Sequence, residues 1–166
     1  MNEWRRYLLV LALYPTTRGF AFALFEGPLS PYDWGVSHTR GPGKNERCVK
    51  RIAALGARYS PDAIVLQDMS NTGTYRAARI RKLNDSIVEW AEQQGIPTFA
   101  YSRKQVRQSF PPPATRLDIA IFIAKHVPAL DSYLPPARKI WNSENPHMSL
   151  FDVAALALTH YQLIAE

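Results

Sequence analysis

The chain has 166 residues, of which 46% are hydrophobic, and it carries 20 Lys and Arg against 14 Asp and Glu, a net charge of +6. This length suffices for one hydrophobic core, so we expect a single domain over residues 1–166. The basic balance favours a polyanionic partner such as nucleic acid. Because Cys48 is the single cysteine, an internal disulfide framework and a cysteine-based zinc site are excluded.

The N-terminal run YLLVLALY, after Arg5 and Arg6, has the basic and apolar parts of a secretory signal. However, Tyr14 and Pro15 end the run early, and the next segment alternates like a paired strand, so a strand is favoured. No stretch approaches the roughly 18 apolar residues of a membrane helix. We therefore expect a cytoplasmic protein without a membrane partner.

The first part of the chain predicts strands followed by a helix. YLLVLALY is a continuous apolar run, GFAFALFEG alternates as a second strand, and PYDWGVSHT follows as its hairpin partner. From Asn45 to Tyr59 apolar residues recur at helical spacing, with Cys48, Ile52 and Leu55 on one stripe. DAIVLQ then predicts another buried strand.

The rest of the chain alternates helices with one more strand. A helix is predicted from about Thr74 to Gln94, IPTFAYS predicts a strand, and Thr115 is a helix cap for a helix to about His126. Residues 128–146 show no clear period and predict a surface loop, and an apolar helix begins near Ser149. This order predicts an α/β fold, a mixed sheet flanked by helices.

Four segments carry a resemblance to a known family: LYPTTRGFAFALFEG, PDAIVLQ, GIPTFAYSRKQVRQSF and SLFDVAALALTHY. In this order they resemble parts of the RuvC-type Holliday-junction resolvases of the RNase H-like superfamily. The first segment resembles the family's opening turn and the strand after it, and the second resembles the strand that ends in a glutamate. The third resembles the next strand with its basic segment, and the fourth resembles the C-terminal helix. The resemblance omits roughly residues 111–146. It implies an RNase H-like fold and hydrolysis of phosphodiesters by Mg²⁺ or Mn²⁺ ions that carboxylates hold.

The family's metal-binding acids fall on Tyr14, Gln67, Ser149 and Asp152, so only Asp152 keeps its charge. A phenol with a pKa of about 10 is neutral at pH 7 and a poor ligand for Mg²⁺. The resemblance, with these departures, implies a lost or weakened two-metal site. Asp68, beside Gln67, is an alternative catalytic and metal-binding acid, although adjacent strand residues point to opposite faces. Glu26 is another alternative.

Three of these positions also have a purely structural interpretation. Ser149 and Asp152 match a capping box for the last helix, because an acid follows the serine by three residues. Tyr14 fits a core aromatic that fills the space of the metal ions, and we favour that interpretation.

The cations match the family better than the acids do. Lys and Arg supply the phosphate contacts that dominate nucleic-acid affinity, although each cluster also fits a solvated surface. The candidate nucleic-acid-binding residues are Arg18 in the first turn, Arg76 and Arg79 at the start of the second helix, and Arg103, Lys104 and Arg107 after a strand end.

Three functions stay open. We favour a RuvC-like nucleic-acid-binding protein that recognises branched or duplex DNA, with weak or absent metal-dependent cleavage. The second is an active Mg²⁺- or Mn²⁺-dependent endodeoxyribonuclease with a rearranged carboxylate set of Asp152, Asp68 and Glu26. The third is a non-catalytic protein-interaction scaffold. By analogy with the family, a homodimer is expected, because a four-way junction has two-fold symmetry.

Overall fold

The computed structural model describes residues 8–69, 75–135 and 147–165. Its strands are β1 (Val10–Thr16), β2 (Gly19–Phe25), β3 (Pro31–His38), β4 (Ala63–Gln67) and β5 (Thr98–Tyr101). They form one sheet in the order β3-β2-β1-β4-β5. β2 is antiparallel to β1 and β3, whereas β4 is parallel to β1 and β5. The predicted mixed α/β sheet is confirmed.

Helices cover both faces of this sheet. They are α1 (Lys44–Tyr59), α2 (Tyr75–Gln93), α3 (Arg103–Gln108), α4 (Arg116–His126), a 3₁₀ helix (Pro128–Tyr133) and α5 (Met148–Ala165). On one face Leu11 and Leu13 of β1 belong to a core with Ile52 of α1 and Leu83 of α2. On the other face the core joins β1 to α4 and α5. β1 is apolar throughout because both of its faces are buried.

The face of the sheet under α5 is lined mainly by small side chains. Ala12, Ala21, Ala23 and Ala63 lie in this core together with alanines of α5. Helix packing distance depends on the side chains at the contact, so these alanines bring the helix close to the sheet. This packing fixes the position of the first turns of α5, which contribute to the site described below.

Helix α5 corrects two expectations from the sequence. It has the length and apolar composition of a membrane span, which the sequence was expected to lack. Since 67% of that segment is buried inside the protein and α5 packs on β1 and β2, its apolarity is that of a core helix. The capping box is also wrong, because α5 begins at Met148. Ser149 is therefore already helical, and Asp152 lies beyond the first turn.

The predicted cap at Thr115 is confirmed, and its partner is Asp118. The Thr115 hydroxyl accepts a hydrogen bond from the Asp118 backbone, and the Asp118 side chain accepts one from the Thr115 backbone. The loop expected over 128–146 is wrong for Pro128–Tyr133, which forms the 3₁₀ helix with Leu130 buried. Residues 136–146 lie outside the described part of the chain.

Gly19, at the start of β2, leaves no room for a side chain. An added Cβ would lie 2.0 Å from the backbone oxygen of Ser37 on β3. We expect Gly19→Ala to lower the free energy of unfolding by at least about 3 kcal/mol, because a strand backbone cannot move aside cheaply. Urea denaturation measures this loss.

The matched control is Gly95→Ala. Gly95 also has a positive φ, of 71°, but an added Cβ would meet nothing within 4 Å. It should cost only about 1–2 kcal/mol from the left-handed conformation. Equal losses for the two variants would contradict the steric argument at Gly19.

Candidate nucleic-acid interface

The carboxyl ends of the parallel strands β1, β4 and β5 lie at one edge of the sheet. A cavity of about 470 Å³ opens there, between the sheet, α3, α5 and the start of α4. We call it the arginine cavity. Its principal polar lining residues are Tyr14, Gln67, Arg103, Arg107, Arg116 and Asp152. The structure thus brings together five of the residues that the sequence singled out and adds Arg116.

Arg116 and Asp152 form a two-point ion pair in this cavity. The Arg116 Nε donates to Oδ1 of Asp152 at 2.9 Å and to Oδ2 at 3.2 Å, and a terminal guanidinium nitrogen also donates to Oδ2. The hydrogen bond to Asp152 raises the pKa of Arg116, although burial acts in the opposite direction. Both carboxylate oxygens of Asp152 are therefore occupied by a permanently charged guanidinium.

Regular structure holds both members of this pair in place. Arg116 is the first residue of α4, directly after the Thr115 cap, and Asp152 lies in α5. The two helices pack against each other. The Asp152 side chain is only 14% exposed, so the paired geometry compensates a largely buried charge.

Tyr14 is half-buried on the α5 face of β1 and lines the arginine cavity. Burial raises the pKa of its phenol, and the charge of Asp152 raises it further, whereas Arg116 and Arg103 act in the opposite direction. The hydroxyl is therefore neutral at pH 7. The neutral phenol packs against the apolar core and also interacts with the charges of the lining, so the interpretation of Tyr14 as a packing residue stays a prediction.

The residues of the arginine cavity do not fit a two-metal centre. Mg²⁺ and Mn²⁺ favour carboxylate and other oxygen ligands, and Asp152 is the single carboxylate of the lining. Within residues 8–69, 75–135 and 147–165, no group of three or more His, Cys, Asp and Glu side chains is placed to hold a metal. We therefore derive no hydrolytic step through a metal ion.

The other acidic candidates, Asp68 and Glu26, are not part of the described cavity lining. Asp68 follows β4 with an exposed side chain outside the cavity lining, and its backbone N–H donates to the Tyr101 oxygen at 2.8 Å. Glu26 follows the end of β2, which pairs with the beginning of β1 and so lies at the opposite edge of the sheet. Ser149 is buried at 7% exposure and is not part of the lining.

The predicted phosphate-binding residues fall into two groups. Arg103 and Arg107 are exposed on α3 and line the arginine cavity, and Lys104 is exposed beside them, outside the lining. Among the described residues, no carboxylate lies within 4.0 Å of these three cations. They are available for an anionic ligand.

Arg79 makes structural bonds instead. Its terminal nitrogens donate to Asn45 Oδ1 and to the Thr16 oxygen, both at 2.9 Å, and so join α2 to α1 and β1. Arg18 is exposed in the turn between β1 and β2. The side chain of Arg76 lies outside the described part of the chain.

Sequence reasoning missed Arg116, because it lies in the segment outside the family resemblance. Two signals point to it in retrospect. Arg116 directly follows the Thr115 cap, so it begins a helix at a fixed position. Asp152 is the one charged residue in a strongly apolar helix, and a buried carboxylate needs a cationic partner.

Neither a protein-family model nor a curated protein matches this chain. Solved structures do. The chain is similar to T. thermophilus RuvC in complex with Holliday junction substrate, at 19% identity and a TM-score of 0.68, over 96% of each chain. The fold is that of the RuvC-type resolvases. It also resembles another Thermus thermophilus RuvC structure, at 19% identity and a TM-score of 0.62, over 95% of this chain and 97% of that one.

A more distant likeness is to the Fowlpox virus resolvase in a complex with substrate Holliday junction DNA. That match has 13% identity and a TM-score of 0.54, over 93% of this chain and 99% of the viral one. Identities this low establish the fold alone. The RuvC-like, RNase H-like sheet predicted from the sequence is confirmed by these similarities.

The Asp152 side chain is less exposed than the Arg116 side chain. Removing one charge of the pair should therefore change the unfolding free energy by a different amount from removing the other. Arg116→Gln leaves the Asp152 carboxylate, only 14% exposed, without its countercharge, whereas Asp152→Asn leaves a guanidinium that is 44% exposed and well solvated. We expect Arg116→Gln to cost about 1–2 kcal/mol of unfolding free energy and Asp152→Asn less than about 1 kcal/mol. Urea denaturation at pH 7 and low salt measures both.

The double variant serves as the control for this prediction. Arg116→Gln with Asp152→Asn should be more stable than Arg116→Gln alone, because the uncompensated charge is gone. Additive losses in the double-mutant cycle would contradict a stabilising pair.

Proposed function

We propose that this protein binds the phosphate backbone of branched or duplex DNA in the arginine cavity, as a divergent RuvC-like protein with little or no metal-dependent cleavage. The observation that carries the proposal is the Arg116–Asp152 pair. Within the described residues, the pair occupies the one carboxylate of the cavity, and no carboxylate lies within 4.0 Å of Arg103 or Arg107, which line the same cavity.

The charge of the cavity favours an anion without any metal ion. Its charged lining consists of three arginines against one aspartate, and Tyr14 and Gln67 are neutral. Guanidinium groups bind phosphate oxygens through two parallel N–H donors, which gives both affinity and orientation. Arginine therefore supplies here the positive charge that two dications supply in a two-metal nuclease.

The compared proteins support DNA as the partner. The T. thermophilus RuvC and the Fowlpox virus resolvase are both complexes with Holliday junction DNA, and this chain matches each over more than nine-tenths of its length. These similarities support a DNA partner, and the position of the DNA at the arginine cavity is part of the proposal. We include a homodimer in the proposal, since a four-way junction offers two equivalent binding positions. Light scattering of the protein alone and with a junction tests that part.

Binding in the absence of divalent metal is the first test. We expect the protein to shift a labelled four-way junction in EDTA with an affinity that falls steeply as KCl is raised, because Lys and Arg contacts release counterions. We also expect no cleavage with Mg²⁺ or Mn²⁺. Junction cleavage that is lost in Asp152→Asn would overturn the non-cleaving part and favour the rearranged nuclease. Absence of DNA binding would favour the interaction scaffold.

Arg103→Gln with Arg107→Gln tests the arginine cavity itself. Removal of both cations should weaken junction binding by at least about tenfold and lower the salt slope by about 2. The matched control is Arg58→Gln with Lys125→Gln, which removes the same charge from the far ends of α1 and α4. Equal weakening by the two variants would mean that net charge alone determines the affinity.

Asp152→Asn distinguishes phosphate binding by arginines from binding through a metal ion, because the two predict opposite changes in DNA affinity. If Asp152 only holds Arg116, the asparagine removes one negative charge from the cavity and the repulsion between that charge and phosphate. DNA affinity should then rise several-fold, up to about tenfold, the scale of one charge-assisted hydrogen bond. Arg116→Gln should lower it. A fall in metal-dependent DNA affinity for Asp152→Asn would instead identify Asp152 as a metal ligand.

A further inference from the structure

A second cationic cavity lies at the same edge of the sheet, beside the turn between β1 and β2. It has a volume of about 520 Å³ and is lined by Arg18, His38, Thr39, Arg40, Gly41 and Lys44. We call it the Arg18 pocket. Of its six lining residues, three carry a positive charge at pH 7 and none carries a negative charge. It shares no lining residue with the arginine cavity.

Backbone and side-chain bonds hold the walls of the Arg18 pocket in place. The Thr39 N–H donates to the Arg18 oxygen at 2.7 Å, so the end of β3 is tied to the turn after β1. The Lys44 amino group donates to the Thr17 oxygen of the same turn. These bonds bring three separate segments, the turn, the end of β3 and the start of α1, around one opening.

Arg51 supports the same wall from α1. Its Nη1 donates to Ser37 Oγ at 2.6 Å and to the His38 oxygen at 2.8 Å. This guanidinium is used to position the end of β3. Arg18 and Arg40, by contrast, have exposed side chains for which the described residues provide no hydrogen-bond acceptor.

The described residues do not neutralise the positive charge of the pocket. Within these ranges, no carboxylate lies within 4.0 Å of Arg18, Arg40 or Lys44. The nearest acid along α1, Glu46, lies in its first turn but is not part of the lining. The three cations are therefore available to an anionic ligand such as a phosphate.

The two cavities lie on opposite sides of the end of β1. The arginine cavity is on the face that α5 covers, since Tyr14 packs against that core. The Arg18 pocket adjoins the start of α1, which covers the other face. The diverging arms of a branched substrate can reach both sides of the sheet edge at once, whereas a straight duplex presents one continuous surface.

We propose that the Arg18 pocket is a second phosphate-binding site, which holds the backbone of a second DNA arm while the arginine cavity holds the first. This inference rests on the proposed function and adds to it the basis for preferring a branched substrate. The Arg18 pocket recognises the phosphodiester group, and the bases contribute nothing at this site. Selectivity comes from the geometry of two separated anchoring points.

The test is the double variant Arg18→Gln with Arg40→Gln. Its affinity for a labelled four-way junction and for a linear duplex of the same arm sequence is measured in EDTA over a range of KCl concentrations. We expect junction affinity to fall at least about tenfold and the junction salt slope to fall by about 1–2, with a much smaller change for the duplex. Arg58→Gln with Lys125→Gln is again the control for net charge.

Each outcome has one meaning. Junction affinity equal to that of the charge control overturns the second site. Equal losses on junction and duplex overturn its assignment to a second arm. If Arg103→Gln with Arg107→Gln loses binding and the Arg18 variant does not, the proposed function stands and this inference fails. If the native protein binds no DNA, both fail. Circular dichroism verifies folding, and Arg40→Gln alone replaces the double variant if that does not fold.

Discussion

Among the described residues, the ion pair between Asp152 and Arg116 is the interaction on which the candidate site depends. Asp152 belongs to an apolar helix that packs closely on alanines of the sheet, so its charge is held at low exposure and needs a countercharge. Arg116 provides it through two hydrogen-bonding points, from a helix start fixed by a capping box. The carboxylate then orients an arginine, and the described lining of the cavity carries more positive than negative charge.

The RuvC-type fold determines where the candidate site lies. Its parallel strands bring the starts of several helices to one edge, and this arrangement does not depend on which residues stand at the strand ends. Tyr14 and Gln67 are partly buried and line the arginine cavity at this edge. Arg103 and Arg107 line the same cavity with exposed side chains, and Arg116 is paired with Asp152.

The same edge carries positive charge on both sides of β1. Arg79 and Arg51 use their guanidinium groups to join elements of the protein, and Arg18 and Arg40 are left facing solvent. The structure thus distinguishes arginines that bond to other elements of the protein from arginines that are exposed to solvent. The residue type alone does not show this difference. In the proposed complex, the arginine cavity and the Arg18 pocket contact DNA on either side of the end of β1. Two separated contact points fit a branched substrate.

The sequence by itself determined the sheet, most helix boundaries and the cap at Thr115, because local periodicity and capping residues encode them. It also singled out Tyr14, Gln67, Asp152, Arg103 and Arg107, which the structure brings to one cavity. Only the tertiary structure decided the partner of Asp152, the structural role of Arg79, the position of Asp68 and Glu26 outside the described cavity lining, and the Arg18 pocket. Each of these depends on which side chains from distant segments meet. Arg116 and Asp152 are 36 residues apart and pair only because α4 packs on α5.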